Sequence, residues 1–446
     1  MLYSIILMLL FTSLLPAQKP DGGGEYKLSQ SECINETQRI DIEKSIAKNK
    51  TILFSKGILK TPDNTSTVSL QWPLKQADGY DYCSYYGISN FVDHNANFPN
   101  QVLDYNCGNR TYDLSNGYNH SGTDIFLWPF GWNMKKIGQI EVVAVAPGII
   151  VDKSDGNFDE NCFFNNLTWN AIYIEQEDGS TAWYGHMKKN SLTKKAIGAS
   201  VAVGEKLGLV ASSGSSTGPH LHFELHDGAG NILDPYSGDC SPEASWWATD
   251  RPYYEPTVNA ALTHSAPPMF PNCPMPEIMN IKDTFVANDE ITVCMYLHDQ
   301  LPNKTAKLTI NQPDKSIFQT WNYNDNLTYA ASYWYWTYKI PNNPQFGVWA
   351  FSVSYEGTSC SHEFVVRDPK ATSSVDINKD SFMLIPNPAN NQVQVQGVKE
   401  EVEIYNIYGQ LIERIQSPYI LNTAKLCNGI YLVKSGYACQ KLIVQH

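Results

Sequence analysis

Basic side chains are scarce in this sequence. The 32 Lys and Arg stand against 45 Asp and Glu, giving a formal charge of −13, and only 17% of residues are charged. A nucleic-acid binder needs a basic face to meet phosphates, so no nucleic acid is expected as a partner. Long apolar runs are missing as well. Beyond the first residues no window approaches the roughly 20 apolar residues that a bilayer requires, so no stable membrane span is expected. No fixed-period self-similarity marks a solenoid. None of the cysteines (33, 83, 107, 162, 240, 273, 294, 360, 427, 439) forms a CxxC pair, which argues against a thiolate zinc site.

What is present begins with an export signal. The opening MLYSIILMLLFTSLLPAQ has an apolar core followed by Pro16 and Ala17, and residues 1–17 read as a signal peptide, although no Lys or Arg precedes the core. The 10 cysteines suit an oxidising compartment, and their connectivity stays open. A secreted or cell-surface location follows.

At 446 residues the chain is too long for one ordinary core. Residues 18–110 read as an N-terminal extension or prosegment. It has a flexible Gly22–Gly24 leader, one short helix over 37–50 with Ile40, Ile42 and Ile46 partly buried, and irregular β structure over 51–118. Residues 111–240 have the texture of an antiparallel sheet, with strands expected at 122–128, 141–151, 170–176, 180–187, 208–211 and 219–226. Prolines crowd 241–276, a linker. Residues 277–368 suggest an immunoglobulin-like β-sandwich. A second linker at 369–380 leads to a small β module at 381–446, where Gly429–Val433 and Lys441–Val444 form a hairpin. The fold class expected is all-β throughout.

Chemistry concentrates in Ser213–Glu224, SGSSTGPHLHFE. Read with a period of two, His220, His222 and Glu224 face one way and Leu221, Phe223 and Leu225 the other. A catalytic zinc centre uses three protein ligands and one open position. Within Asn119-His120-Ser-Gly-Thr-Asp124, Gly122, Thr123 and Ile125 disfavour helix. An extended segment puts His120 and Asp124 on one face, with Gly122 letting the backbone bend so that both heads converge. His120, Asp124 and His222 then form a two-histidine, one-carboxylate set. His186 follows Tyr184 on a strand and is expected beside His220. Glu224 and Tyr184 are expected to orient a ligand or line the groove, and Trp128, Trp132 and Trp183 are further groove candidates. His226 shares the His222 face and is a fallback ligand. The acidic loop at Asp152, Asp155, Asp159 and Glu160 lacks the EF-hand spacing and reads as solvated. The sequon Asn119-His120-Ser121 reads as accidental, because a glycan there would crowd the metal.

Four blocks, HSGTD, VAPGIIVDK, NAIYIEQEDGSTAWYGHMK and GEKLGLVASSGSSTGPHLHFELHD, resemble the lysostaphin/LytM-type zinc metallopeptidases in order and spacing over about 110–240. The resemblance implies one Zn2+ held by His120, Asp124 and His222, with His186 and His220 as the catalytic histidines. It also implies a peptide bond in peptidoglycan cross-links, or in Gly-rich protein, as the substrate. LIPNPANNQVQVQ, VEIYNIYGQLIE and LCNGIYLVKSG are similar to the type IX secretion sorting domain of Bacteroidota, which implies secretion machinery as a partner and passage through periplasm and outer membrane. Two other functions compete. One is a non-catalytic wall-binding or amidase-activator protein that keeps the fold, although the implied site residues are all present. The other is an adhesion or carbohydrate-binding protein acting through the middle sandwich, which shows no paired acidic or aromatic motif.

Overall fold

Strand order places the histidine-rich segment at the middle of its sheet. The computed structural model describes residues 17–27, 33–62, 68–78, 80, 82–369, 382–398, 401–406, 410–436 and 438–446. All but Ala17 of the expected signal, and all but Pro369 of the expected second linker, lie outside the described residues. The chain divides into two compact units, Met1–Arg367 and Asp368–His446.

In the first unit an antiparallel sheet runs Tyr86–Asn90, Thr123–Leu127, His220–His226, Thr181–Gly185, Ala171–Glu175, Gly148–Ser154 and Ser200–Val201, with Ile232–Leu233 beside His220–His226. The alternation read from sequence holds at its centre. Leu221, Phe223 and Leu225 are fully buried, each contributing about 1.5–3 kcal/mol by leaving water. They share a core with a three-stranded sheet ordered Lys206–Leu209, Ile140–Val143 and Leu74–Gln76. The run 141–151, expected as one strand, is two strands in two sheets. Pro147 lacks a donor for a continuous ladder, and a Cβ on Gly148 would meet the Glu175 carbonyl oxygen at 2.4 Å.

The N-terminal helix spans Glu36–Ser55, longer than the 37–50 expected. Asn35 caps it: its side chain accepts from the Gln38 amide, and the Gln38 side chain accepts from the Asn35 amide, a complete capping box. Ile46 and Leu53 are buried against the sheet, with Ile42 packed beside them, whereas Ile40 is exposed. Lys50 pairs with Glu175 at 2.8 Å.

The sandwich has a five-stranded sheet (Thr284–Val286, Thr358–Arg367, Gly347–Tyr355, Thr305–Asn311, Ile317–Asn324) and a four-stranded one (Gly22–Glu25, Tyr329–Lys339, Glu290–Gln300, Thr257–His264) on a common core. Two stretches expected to be irregular are therefore strands. Gly22–Glu25, read as a flexible leader, pairs with Ser332–Tyr335, and Thr257–His264, read as part of a linker, pairs with Glu290–Gln300. Disulfides join Cys83 to Cys360, Cys107 to Cys240 and Cys162 to Cys273.

The second unit is β-rich. It has a three-stranded sheet (Met383–Ile385, Val393–Gln396, Ile420–Leu421) and a four-stranded sheet in which Gly429–Ser435 pairs with Ala438–Val444, the hairpin expected from the sequence. Among the described residues no helix is long and apolar enough to cross a membrane.

Candidate metal centre

Register brings the site together. In the central strand His222 lies opposite Asp124 on one neighbour and opposite Gly185 on the other, one residue before His186. Asp124 Oδ1 lies 2.8 Å from His222 Nδ1, and Asp124 Oδ2 lies 3.1 Å from His120 Nε2. Asn90, on the outer neighbouring strand, donates to Asp124 Oδ2 at 3.1 Å and holds the carboxylate in place. Gly122 acts by absence of bulk. The backbone bends at Gly122, as expected, and a Cβ there would also meet the Phe223 carbonyl oxygen at 2.5 Å and His222 Nε2 at 2.9 Å, so close approach adds a second reason for the glycine.

Ring orientation is set by acceptors behind each imidazole. Nδ1 of His120 lies 2.7 Å from the Phe91 carbonyl, Nδ1 of His186 2.6 Å from that of Ser213, and Nδ1 of His220 2.8 Å from that of Gly218. A carbonyl only accepts, so each Nδ1 carries a proton, and Nε2 is the nitrogen that each of these rings turns to the site. His222 is turned the other way. Its Nε2 faces Glu224 Oε1 at 2.8 Å, leaving Nδ1 for the centre. The Nε2 atoms of His120 and His186 are buried; the first has the Asp124 carboxylate at 3.1 Å beside it, and the second has no geometrically sound hydrogen bond among the described residues. Buried polar atoms without partners are rare. The donor set of His120, Asp124 and His222 matches the N/O chemistry of a catalytic zinc site, so the residues fit that ion.

The sheet also positions the remaining histidines. His186 stands just past the end of Thr181–Gly185 with φ 58°, a conformation uncommon for non-glycine residues. Strand alternation alone would send it with Tyr184 into the core. The left-handed turn instead presents it to the site, where its ring centroid is 4.3 Å from that of His220. A Cβ on Gly185 would overlap the Trp169 ring, which packs edge-on against His186. The small-residue run before His220 does more than turn: its Ser213 and Gly218 carbonyls orient two of the imidazoles.

Electrostatics follow from crowding. Burial raises the Asp124 carboxyl, but His120 and then His222 and His220 hold it well below its usual range. Burial opposes charging His120, yet Asp124 raises it to about 9. Burial and then His220 lower His186, whereas His220 is raised against its own burial, through the thiol of Cys33 and through Asp124.

Glu224 is a buried hub. Its Oε1 takes Arg39 Nη2 at 2.7 Å as well as His222, and its Oε2 takes Arg39 Nη1 at 2.8 Å and His226 Nε2 at 2.7 Å. His226 is thereby satisfied, stacks on Trp183 at 4.2 Å, and does not join the ligand cluster. Tyr184 is not at the groove. It is fully buried, and its hydroxyl accepts a hydrogen bond from the Val145 amide at 3.0 Å. Trp128 is likewise core, donating to the Leu297 carbonyl, while Trp132 lines a cleft with Asp124, His220 and Glu277. The acidic loop is partly structural: buried Lys135 pairs with Asp159 at 3.1 Å and Glu160 at 2.8 Å. The sequon residue Asn119 spends its side-chain amide on the Asn95 carbonyl at 2.8 Å.

One participant escaped the sequence reading. Cys33, two residues before the helix cap, is buried with its Sγ in the ligand cluster of His120, Asp124 and His222 and also in that of His186 and His220, every ligand atom in each set within 4.8 Å of the others. The lack of a CxxC pair had argued against a thiolate. That rule concerns ligands close in sequence, and this one arrives from a distant segment. Arg39, Asn90 and Trp169 were missed too. The capping box after Cys33 was the one local signal that its segment is ordered.

Residues 119–235 match the family model for peptidase family M23, and residues 383–445 match that for the secretion system C-terminal sorting domain. Glycyl-glycine endopeptidase ALE-1 of Staphylococcus capitis is 32% identical over 110 residues, 24% of this chain, and the chain spans 25% of that relative's length. The catalytic domain of lysostaphin from Staphylococcus simulans is 28% identical, covering 28% of this chain and 83% of its own, with a TM-score of 0.21. A zinc-containing peptidase from Vibrio cholerae is 21% identical, covering 37% of this chain and 39% of its own, with a TM-score of 0.25. Superpositions at these scores carry no argument about the fold, which rests on the sheets themselves.

Proposed function

On the premise that this chain carries a peptidase family M23 domain and a type IX secretion sorting domain, we propose that it is an exported zinc endopeptidase that cuts peptide bonds in peptidoglycan cross-links or in Gly-rich protein. The observation that carries the reading is the convergence of His120 Nε2, Asp124 and His222 Nδ1 beside the paired rings of His186 and His220. His120, Asp124 and His222 hold the ion in this reading. Zinc, when bound, supplies Lewis acidity to a carbonyl and makes water nucleophilic near neutral pH.

The chain's own residues do the rest. His186, kept neutral by burial and by its neighbour, accepts a proton at Nε2. His220, favoured in its charged form, steadies the developing negative charge and returns a proton to the leaving amine. Glu224 fixes the His222 ring, and the Ser213 and Gly218 carbonyls fix the tautomers of the two proton carriers. The similarity to a glycyl-glycine endopeptidase supports small residues flanking the scissile bond.

Purified sacculi with glycine-containing and with direct cross-links are digested by the zinc-loaded chain and by its Cys33→Ser form, each paired with a His222→Ala version, and the products are weighed by mass spectrometry. Release of cross-link fragments that a chelator abolishes is expected from at least one form. If neither form releases more than its folded His222→Ala counterpart, the reading is wrong.

A further inference from the structure

We propose that Cys33 is a fourth protein ligand to the zinc, and that its thiolate takes the place the attacking water needs, holding the exported chain latent. The inference rests on the reading of His120, Asp124 and His222 as the ion's ligands. Three observations carry it. The Cys33 sulfur belongs to the same cluster of potential ligand atoms as those three side chains and is buried among them. The same sulfur also lies in a cluster with His186 and His220, so it is common to the ligand set and to the pair of imidazoles beside it. The Nε2 atom of His186, more than nine-tenths buried and without a geometrically sound hydrogen bond among the described residues, faces this space, as does the buried Nε2 of His120 beside Asp124.

The segment around Cys33 is built to stay. Just after it, the capped helix docks through Ile46 and Leu53, and Arg39 makes a two-pronged ion pair with Glu224, the carboxylate that also holds His222. Before it, Gly22–Glu25 is an edge strand of the sandwich, and Tyr26 and Lys27 line the same cleft as Asp124 and His220, with Tyr26 stacked on Trp128 at 4.5 Å. Ligation converts the thiol to a thiolate and releases its proton to solvent, forming a sulfur–zinc bond in place of an oxygen–zinc bond, with no change of oxidation state. A four-coordinate site with four protein ligands is the closed, structural type of zinc site, and withdrawal of the thiol converts it to the open type.

The test replaces zinc by Co2+ in the full chain and records its absorption. Wild type should show the near-ultraviolet thiolate-to-cobalt charge-transfer band, and Cys33→Ser should lose it while keeping the visible ligand-field bands from the remaining ligands. Arg39→Ala, which loosens the segment without touching the ligands, should weaken the band if Cys33→Ser proves unstable. In zinc form, Cys33→Ser should cleave about tenfold or more faster than wild type, as expected if the open form is about a tenth or less of wild-type molecules. The inference is overturned if the wild-type band is absent, or if it is unchanged in Cys33→Ser. It is also overturned if both chains cleave and wild type is as fast as the variant. Loss of the band with no cleavage by either chain would uphold the ligation and overturn the peptidase reading instead.

Discussion

Glu224→Gln is the change that most sharply separates a positioned metal centre from a cluster of histidines that merely pack. The carboxylate is 1% exposed and accepts four hydrogen bonds, two from Arg39 and one each from His222 and His226, at 2.7–2.8 Å. An amide has one oxygen and one NH2, so whichever way Gln sits, one of its atoms donates into two donors. Two charge-assisted bonds are lost, and the Arg39 guanidinium is left buried without its counter-charge. Burial alone would favour neutral Glu224, but Arg39 and then His222 and His226 hold the carboxyl well below its usual range, so the charge is what the pocket is built around. Breaking a buried pair of this kind costs about 3–5 kcal/mol of stability. Freeing the ring of His222, whose other nitrogen faces Asp124, should also weaken zinc by about 10- to 100-fold, as for other partners behind a ligand imidazole. Urea unfolding of the metal-free chain reads the first effect, and chelator competition reads the second. Arg39→Ala, compared in a Cys33→Ser background so that the loosened segment carries no ligand, is the control, since it should lower stability while leaving His222 bonded to Glu224 and shifting zinc affinity much less. The reasoning is refuted if Glu224→Gln keeps zinc affinity within about twofold of wild type while remaining folded.

Other perturbations test other parts of the molecule. In a Cys33→Ser background, His186→Ala and His220→Ala should each keep one zinc per chain but lower kcat by about 10²- to 10⁴-fold, read by metal analysis and peptide hydrolysis. Gly122→Ala should weaken zinc binding in a competition assay, because its Cβ would meet a backbone oxygen at 2.5 Å and the nitrogen of His222 at 2.9 Å. Acid should destabilise the first unit through two buried histidines: burial lowers His264 to about 4, and burial with Arg110 and Arg251 lowers His298 to about 3. Their depressed folded values mean the unfolded chain takes up protons first, so stability falls as pH drops below about 6.5. Each contributes a slope of about 1.4 kcal/mol per pH unit until its folded value is reached, and His298→Gln should flatten the denaturation-versus-pH curve. Cys83→Ser with Cys360→Ser opens a loop closed across 277 residues and should cost up to about 5 kcal/mol in calorimetry.

The parts of this fold legible in the sequence are those where local pattern and tertiary demand agree. His220–His226 alternates cleanly because one face packs on a core and the other carries polar chemistry, and its bounds differ by one residue from those expected. Register between strands is not written locally; His120 and Asp124 do meet at 3.1 Å, but across the bend at Gly122 rather than along one extended face. Legibility failed where long-range contact overrides local texture. Gly22–Glu25 has the composition of a flexible leader, but an exposed edge at Tyr329–Lys339 supplies the ladder that orders it. His186 obeys no strand alternation because a single left-handed residue turns it, and no β-branched or glycine signal marks that position. For the same reason Tyr184, expected on the face of His186, is core. Arg39, Asn90 and Cys33 act on groups far from them along the chain, so spacing rules that link neighbours were blind to all three.

The tautomers give a last step that sequence reading could not take. Three of the four site imidazoles rest their Nδ1 on backbone carbonyls, those of Phe91, Ser213 and Gly218, and only His222 is backed by a carboxylate. A carbonyl fixes a tautomer without supplying charge, so His120, His186 and His220 are oriented but left free to gain or lose a proton, or to ligate, at Nε2. A carboxylate also makes the imidazole more basic and a stronger donor to a metal, which concentrates that effect on the one histidine whose register partner is Asp124. On the proposed reading, the division of labour between neighbours two residues apart therefore comes from what stands behind each ring. Exchanging the backing should exchange the behaviour: Glu224→Gln weakens the ligand at His222 while leaving the proton carriers' carbonyls untouched, so in a Cys33→Ser, zinc-saturated chain its loss of kcat should be smaller than that of His186→Ala. An equal loss at saturating zinc would mean that Glu224 acts on the chemistry rather than on the ligand.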